Sequence, residues 1–331
     1  MDFKEIRELL KDQPKYRLEQ AEKSLFQGLI NNWQEAIGLP LNIRKKLDEE
    51  FPIEISAETF VSKDKNTIKT LIALEDGLKV EAVLMRHEDT RNTICVSSQV
   101  GCPMACSFCA TGRMGFKRNL EIWEILEQIL FFARYLKKVN EKITNVVFMG
   151  MGEPFMNYKN VMTAIKILND KNGFNLGARH ISISTVGVVE GIERLENEEL
   201  QINLAISLHA PDNKTRSEIM PANKNYPIEK ILKAVDKYIK KTNRRVMFEY
   251  LMLKGVNDSD EHAKELIGLM KKPLYFVNLI AYNPTGIYDP SPASRIKKFK
   301  EILENAGITV TQRQEFGQDI EGACGQLATK N

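Results

Sequence analysis

Cys102, Cys106 and Cys109 stand in the stretch Gly101-Cys-Pro-Met-Ala-Cys-Ser-Phe-Cys-Ala-Thr-Gly112, a Cys-x3-Cys-x2-Cys spacing that suits a loop wrapped around an inorganic core. A cubane iron–sulfur cluster normally takes four thiolates, so three leave one iron free for a ligand that is not protein. Zinc and three free thiols are the competing readings. Structural zinc sites close with four Cys or His, usually as two separated pairs, and the nearest histidine, His87, lies outside the loop. An open iron is a Lewis acid with room for a chelate. The α-amino and α-carboxylate groups of S-adenosylmethionine would fill it, and an electron from the 4Fe–4S cluster would cleave the sulfonium to a 5′-deoxyadenosyl radical. That chemistry belongs to the cofactor; the protein supplies position and dryness.

Gly150-Met-Gly-Glu-Pro154 suits the amino group of such a ligand. Its glycines let the backbone approach closely, and Glu153 would accept hydrogen bonds from an ammonium. An ordinary strand-to-helix turn with a surface Glu is the plainer reading. Two cysteines remain. Cys95, taken alone, reads as a small buried hydrophobe. Cys324 lies in Asp319-Ile-Glu-Gly-Ala-Cys-Gly-Gln-Leu327, a glycine-bearing segment that reads as mobile and suits a reactive thiol.

These groups need elements to hold them. Residues 1–50 read as helices, with Ile6, Leu9 and Leu10 on one face, Leu25, Leu29 and Ile30 on another, and Pro14 and Pro40 as punctuation. Phe60-Val61, 67–74 and 80–85 are β-rich, and Glu75-Asp76-Gly77 signals a hairpin between the last two. From residue 93 strands and helices alternate. The apolar strand runs are 93–97, 143–149, 180–184, 202–208, 246–253, 275–280 and 308–312. The clearest helix starts at Asn119 as N-cap, with Glu121 and Glu124 in its first turn and Leu120, Ile122, Ile125, Leu126, Ile129, Leu130, Ala133 and Leu136 on its buried side. Others fit 161–168, 228–239, 260–270 and 296–305.

This alternation predicts an α/β fold whose parallel sheet curls into a partial (β/α)6-type barrel. A doubly wound open sheet is the alternative, but no Gly-x-Gly-x-x-Gly follows the first strand. The division reads as a helical, RNA-binding-like segment 1–50, a small β-rich linker region 51–87 and a core 88–331. In β/α barrels chemistry sits at the C-terminal ends of strands. The cysteine loop follows the first core strand and the 150–154 stretch the second; Ser184, His209 and Asn283 also fall just past strand ends. Each has a plainer reading: Ser184 as a strand-end hydroxyl bonding backbone, His209 as a satisfied core histidine, and Asn283, before Pro284, as a turn residue.

With 331 residues, 43% hydrophobic and 27% charged, the composition is that of an ordinary globular protein. The charged N-terminus reads as no signal peptide, and no apolar run reaches the length of a membrane span. Five cysteines, three of them clustered, exclude a secreted disulfide framework and point to a reducing cytoplasm. A net charge of +3 identifies no partner by itself. The basic runs Lys237, Lys240, Lys241, Arg244, Arg245 and Arg295, Lys297, Lys298, Lys300 read equally as solvated helix faces. Arg113, Lys117 and Arg118, beside the triad, are the better candidates for phosphate contact.

The triad, Gly-Met-Gly-Glu-Pro and the Ala-Cys-Gly-Gln-Leu tail together resemble the RlmN-type radical S-adenosylmethionine methyltransferases. The likeness runs from Tyr16-Arg17 to the tail and includes Cys95-Val-Ser-Ser-Gln-Val-Gly-Cys102, Ile181-Ser-Ile-Ser-Thr-Val-Gly187, Leu204-Ala-Ile-Ser-Leu-His209 and Val256-Asn-Asp258. The resemblance implies methylation of adenosine at ring carbon C2 in 23S ribosomal RNA and also in tRNA beside the anticodon. That carbon has no nucleophilic lone pair, and the family's solution uses two S-adenosylmethionine molecules per turnover. Cys102, Cys106 and Cys109 would hold the 4Fe–4S cluster. Cys324 would carry the methyl group as S-methylcysteine, the deoxyadenosyl radical would take a hydrogen atom from it, and the resulting carbon radical would add to adenine. Cys95 would resolve the protein–RNA crosslink through a Cys95–Cys324 disulfide, and Glu81, in Val80-Glu-Ala-Val83, would be the proton acceptor. Gly152 and Glu153 would contact the methionine part of the cofactor; Ser184, Ser207, Leu208, His209 and Asn283 would line its nucleoside part. The target base must leave its stack to reach a buried radical. A flavodoxin-type electron donor and a monomer complete the picture.

A sister family methylates the same adenosine at C8. Gln99-Val-Gly-Cys102 and Glu153-Pro154 look more like the C2 branch. A non-catalytic, metal-binding RNA-associated protein would need neither Cys324 nor Cys95, and a radical activase would need no methyl carrier.

Overall fold

The computed structural model describes residues 3–329. Strands β1 (Ala57–Val61), β2 (Thr67–Ala73), β3 (Lys79–Arg86) and β4 (Asn92–Cys95) pair antiparallel in turn. The expected hairpin joins β2 to β3, closed by Leu74 N donating to Leu78 O at 2.8 Å. A separate antiparallel ribbon, β5 (Gln99–Gly101) and β6 (Phe116–Asn119), brackets the cysteine loop. Then β7 (Asn145–Phe148), β8 (Ile181–Thr185), β9 (Asn203–Ser207), β10 (Val246–Met252), β11 (Tyr275–Ala281) and β12 (Val310–Gln312) add in order beside β4, all parallel. The result is one ten-stranded sheet, β1-β2-β3-β4-β7-β8-β9-β10-β11-β12.

Strand order follows chain order without reversal across the parallel part. A doubly wound sheet reverses direction at a switch point, so that alternative falls. Crossovers of one hand that always advance the same way curl the sheet. Its edge strands β1 and β12 do not pair with each other, so the barrel is open. The β-rich region before residue 88 is thus continuous with the core sheet through the β3–β4 pairing.

Three local expectations need correction. The long helix is Ile122–Lys137, and its N-cap is Glu121, in a capping box with Glu124, not Asn119. Asn119 is consumed by β6, where its side chain accepts from Gln99 Nε2 at 2.8 Å. The helix Lys15–Phe26 ends before Leu29 and Ile30; Gly28 N closes it onto Lys23 O, Leu29 takes a left-handed φ of 50°, and Ile30 turns into the core. Three short helices, Ala110–Arg113, Val189–Leu195 and Asn213–Ile219, lie outside the expected ones, because each carries too few apolar residues to show a period. The remaining core helices are Tyr158–Asn169, Ile228–Thr242, Asp260–Leu269 and Ala293–Asn305, with Phe3–Leu9 and Leu41–Glu50 near the N-terminus. Among the described residues no helix is long and apolar enough to cross a membrane.

Gln128 shows how a helix fixes the end of a strand. It is fully buried, accepts from Ser97 N at 2.7 Å and donates to Ser97 O at 3.1 Å. The backbone just beyond β4, where the chain turns toward the cysteine loop, is therefore held from behind.

Candidate active site

Two adjoining cavities open inside the curled sheet, and Cys324 lines both. The smaller, about 130 Å³, is walled by Cys102, Cys106 and Cys109 together with Gly152, Glu153, Ser184, Ser207 and His209. The larger, about 460 Å³, takes Cys95 from β4, Asn283, Arg313 and the tail around Cys324.

The cysteine loop leaves the ribbon at Gly101, whose φ of 75° and closeness to Gly115 O (1.8 Å from an added Cβ) admit only glycine. Burial pushes the Cys102 thiol up to about 12 and that of Cys106 well above its ordinary value, and the neighbouring thiols of the triad add to both shifts. Such thiols stay protonated until a cation takes the proton's place. Among the described residues no three His, Cys, Asp or Glu side chains gather about a single metal ion. A cubane instead takes each thiolate on its own iron. Behind Cys106 lies Arg216, wholly buried, whose charge faces the thiol. Three thiolates with a guanidinium behind them fit an anionic iron–sulfur centre.

In the same cavity Gly152 sits at φ 99°, where a Cβ would strike Gln99 at 2.6 Å. Glu153 is 2% exposed. Its carboxylate accepts from Phe155 N at 3.0 Å and from Val186 N at 2.8 Å, while burial lifts its pKa to about 7. A carboxylate has about four acceptor positions, so an ammonium can still be received. Ser184 and Ser207 hydroxyls lie 3.3 Å apart. His209, at φ 59°, accepts from Leu251 N through Nδ1 at 3.1 Å and meets Phe108 edge-on. Burial lowers its pKa to about 3, with Arg216 and Arg313 adding to the effect, so the ring is neutral.

Two of the residues assigned to the nucleoside do not line the smaller cavity with their side chains. The Leu208 side chain is in the core, and only its backbone is near the site, with N bonded to Glu249 O. Asn283 lines the larger cavity; its amide donates to Cys324 O at 3.1 Å and accepts from Gln318 at 2.8 Å. It positions the tail.

The tail itself is anchored, contrary to the mobility its glycines suggest. Ala110 N donates to Gly325 O at 2.8 Å, Thr111 Oγ1 to Leu327 O at 2.6 Å, and Ala328 N to Glu81 at 2.9 Å. The first two bonds tie the tail to the cysteine loop, which is how a thiol more than two hundred residues away comes to face the triad. Cys324 is exposed to the cavities. Cys95 and Cys324 are both free thiols; burial, then the charge of Cys324, lifts Cys95 to about 12. Glu81 lines neither cavity: it is buried, paired with Lys69 at 3.1 Å, and holds the tail through Ala328.

Sequence reasoning missed Arg216, Glu249 and Arg313, which carry no local motif. Arg216 donates to the carbonyls of Leu208 (3.0 Å), Tyr226 (2.8 Å), Val186 (2.6 Å) and Ser207 (3.2 Å) and to Asn223 Oδ1 (2.8 Å). It ties together the ends of β8 and β9. Arg216→Met would orphan several buried acceptors, and we expect a loss of roughly 3 kcal/mol or more, read as a lowered thermal midpoint of the apoprotein.

Of the basic residues beside the triad, Arg118 is committed to Asp76 and Glu124, and Arg113 donates to Thr285. Lys117 is exposed, next to the half-exposed Phe116. The distal runs are largely paired: Lys237 with Glu193, Arg295 and Lys298 with Asp260, Lys297 with Glu301 and Lys300 with Glu304.

The Radical SAM superfamily profile matches residues 96–267. The chain is 46% identical over 330 residues to the probable dual-specificity RNA methyltransferase RlmN of Dictyoglomus thermophilum, spanning 98% of this chain and 94% of that one. It is 44% identical over 325 residues to the ribosomal RNA large subunit methyltransferase N of Nitrosopumilus maritimus, covering 95% and 93%. The crystal structure of a radical SAM methyltransferase from Sphaerobacter thermophilus superposes with a TM-score of 0.94 at 41% identity, covering 99% and 97%.

Proposed function

The chain belongs to the RlmN-type radical S-adenosylmethionine RNA methyltransferases, and on that premise we propose that it methylates C2 of adenosine in 23S ribosomal RNA and in tRNA beside the anticodon, with Cys324 as the methyl carrier. The observation that carries this reading is the place of Cys324 on the wall shared by the two cavities. One cavity holds the triad and the Gly152–Glu153 turn; the other holds Cys95 and is open to a flipped base.

A 4Fe–4S cluster and S-adenosylmethionine are the cofactors; bound here they supply a 5′-deoxyadenosyl radical and the methyl group. Cys102, Cys106 and Cys109 hold the cluster. Glu153 and the Gly152 backbone receive the amino acid part of S-adenosylmethionine, and Ser184, Ser207, His209 and the Leu208 backbone face its nucleoside. Neutral His209 offers a hydrogen bond from Nε2 without adding charge beside a sulfonium. The Cys324 thiolate takes the methyl group on sulfur, held in place by Asn283, Ala110 and Thr111. Cys95 resolves the protein–RNA adduct: its sulfur attacks Cys324 Sγ, the Cys324 carbon–sulfur bond breaks with its electron pair going to the product carbon, which takes up a proton, and the methylated RNA leaves as the Cys95–Cys324 disulfide forms. Glu81 serves as proton acceptor after the tail shifts and frees it from Ala328.

Residues 1–50 form an RNA-gripping segment, 51–87 a β-rich connection and 88–331 the catalytic core. The protein works as a cytoplasmic monomer reduced by a flavodoxin-type donor. Mass mapping of RNA modified by the purified enzyme tests the reaction: 2-methyladenosine supports it, and 8-methyladenosine moves the chain to the sister activity. Lys117, exposed beside the cysteine loop, contacts phosphate. Lys117→Ala should weaken RNA binding evenly across sequences and reduce the slope of log affinity against log salt by about 0.7 to 0.9, as read by filter binding over a salt series.

A further inference from the structure

One guanidinium faces both cysteines of the larger cavity. Arg313 follows β12, and its N donates to Leu279 O at 2.8 Å, which fixes its backbone on β11. Nη1 lies 3.8 Å from Cys324 Sγ. Nη2 lies 2.6 Å from Glu249 Oε1 and 3.3 Å from Met149 Sδ. The Glu249 side chain is 4% exposed, on β10, in a strand whose Glu249 carbonyl is bonded by Leu208 and His209. The barrel wall therefore orients the fork, and the fork meets the sulfur.

We propose that Arg313, braced by Glu249, is a positioning residue that holds Cys324 Sγ at the boundary of the two cavities and favours its thiolate over its thiol. The inference rests on the reading of Cys324 as methyl carrier. To take a methyl group, the thiol loses its proton to solvent. A sulfur lone pair then forms the new C–S bond, and the methyl–sulfonium bond breaks with its electron pair left on S-adenosylhomocysteine. Only the thiolate does this. A guanidinium keeps its charge at every working pH, and its planar fork can grip Glu249 and the sulfur together.

The surroundings otherwise work against the thiolate. Enclosure of Cys324 Sγ by the cavity walls raises its pKa, Arg313 is the largest opposing influence, Glu249 and Cys109 push upward, and the net shift is upward. Cys95 also couples to it. His87, Arg91 and Glu315 complete the titratable and charged groups around the larger cavity.

The test is the alkylation of Cys324 by iodoacetamide in anaerobic, cluster-loaded protein without S-adenosylmethionine, followed by peptide mass spectrometry across a pH series. Arg313→Gln should move the half-point of alkylation upward by about one unit, roughly tenfold slower reaction at neutral pH. Arg313→Lys should restore most of that shift, and Glu249→Gln should move it downward. Arg313→Gln with an intact cluster spectrum and an alkylation profile superimposable on the parent's would overturn the proposal. A shifted profile with no methyl ever found on Cys324 would support Arg313's role and sink the methyl-carrier reading instead.

Discussion

Cys324→Ala is expected to abolish methyl transfer to RNA, by on the order of 10⁴-fold or more, while leaving the iron–sulfur chromophore intact. The carbon to be methylated cannot attack a sulfonium, so a carrier must lie between the methyl donor and the base. Among the described residues, Cys324 supplies the one thiol on both cavity walls. The substitution removes only that sulfur. The bonds that hold the segment use backbone atoms: Asn283 to the carbonyl of residue 324, Ala110 to Gly325 O and Thr111 to Leu327 O. The small cavity and its three thiols should therefore keep their form. Incorporation of labelled methyl into an unmodified RNA fragment, measured beside the absorption spectrum of the same sample, separates the two effects. Full activity would defeat the mechanism.

The second large effect belongs to Cys95. Cys95→Ala should trap a covalent protein–RNA adduct, one per enzyme, and drop multiple turnover by more than about 10²-fold. Cys95 pairs with Val83 and Val147 across β3 and β7, so it projects from the middle of the sheet into the larger cavity. Its pKa, near 12 through burial and the charge of Cys324, keeps it protonated at rest and slow toward outside reagents. A thiol so guarded is suited to one partner, the sulfur facing it. A denaturing gel resolves the adduct from free RNA, and a clean gel during turnover would count against the resolving role.

What the sequence made legible was local. The triad's spacing, the glycine-rich turn before Pro154 and the alternation of strand and helix are each contained within a few dozen residues, and each is present in the fold as an element or a cavity wall. What it hid was pairing over long separations. Lys69 meets Glu81, which meets Ala328; Arg313 meets Glu249; Arg216 gathers carbonyls from three segments. No motif marks such contacts, because the residue type is set by a partner the chain brings close only after folding. The tail illustrates the cost of local reasoning. Glycines around Cys324 suggest mobility, yet tertiary hydrogen bonds fix the segment. Asn119 is a good cap by type, but the ribbon claims it first and Glu121 caps the helix.

Cys324 is proposed to carry the methyl group from the small cavity to the large one. The direct measurement is to incubate the reduced, cluster-loaded enzyme with methyl-labelled S-adenosylmethionine in the absence of RNA, digest it and locate the label by mass spectrometry. Label is expected on the peptide containing Cys324, followed by its transfer to C2 of adenosine when unmodified RNA is added. Label that reaches RNA while Cys324 stays unmodified throughout would contradict it.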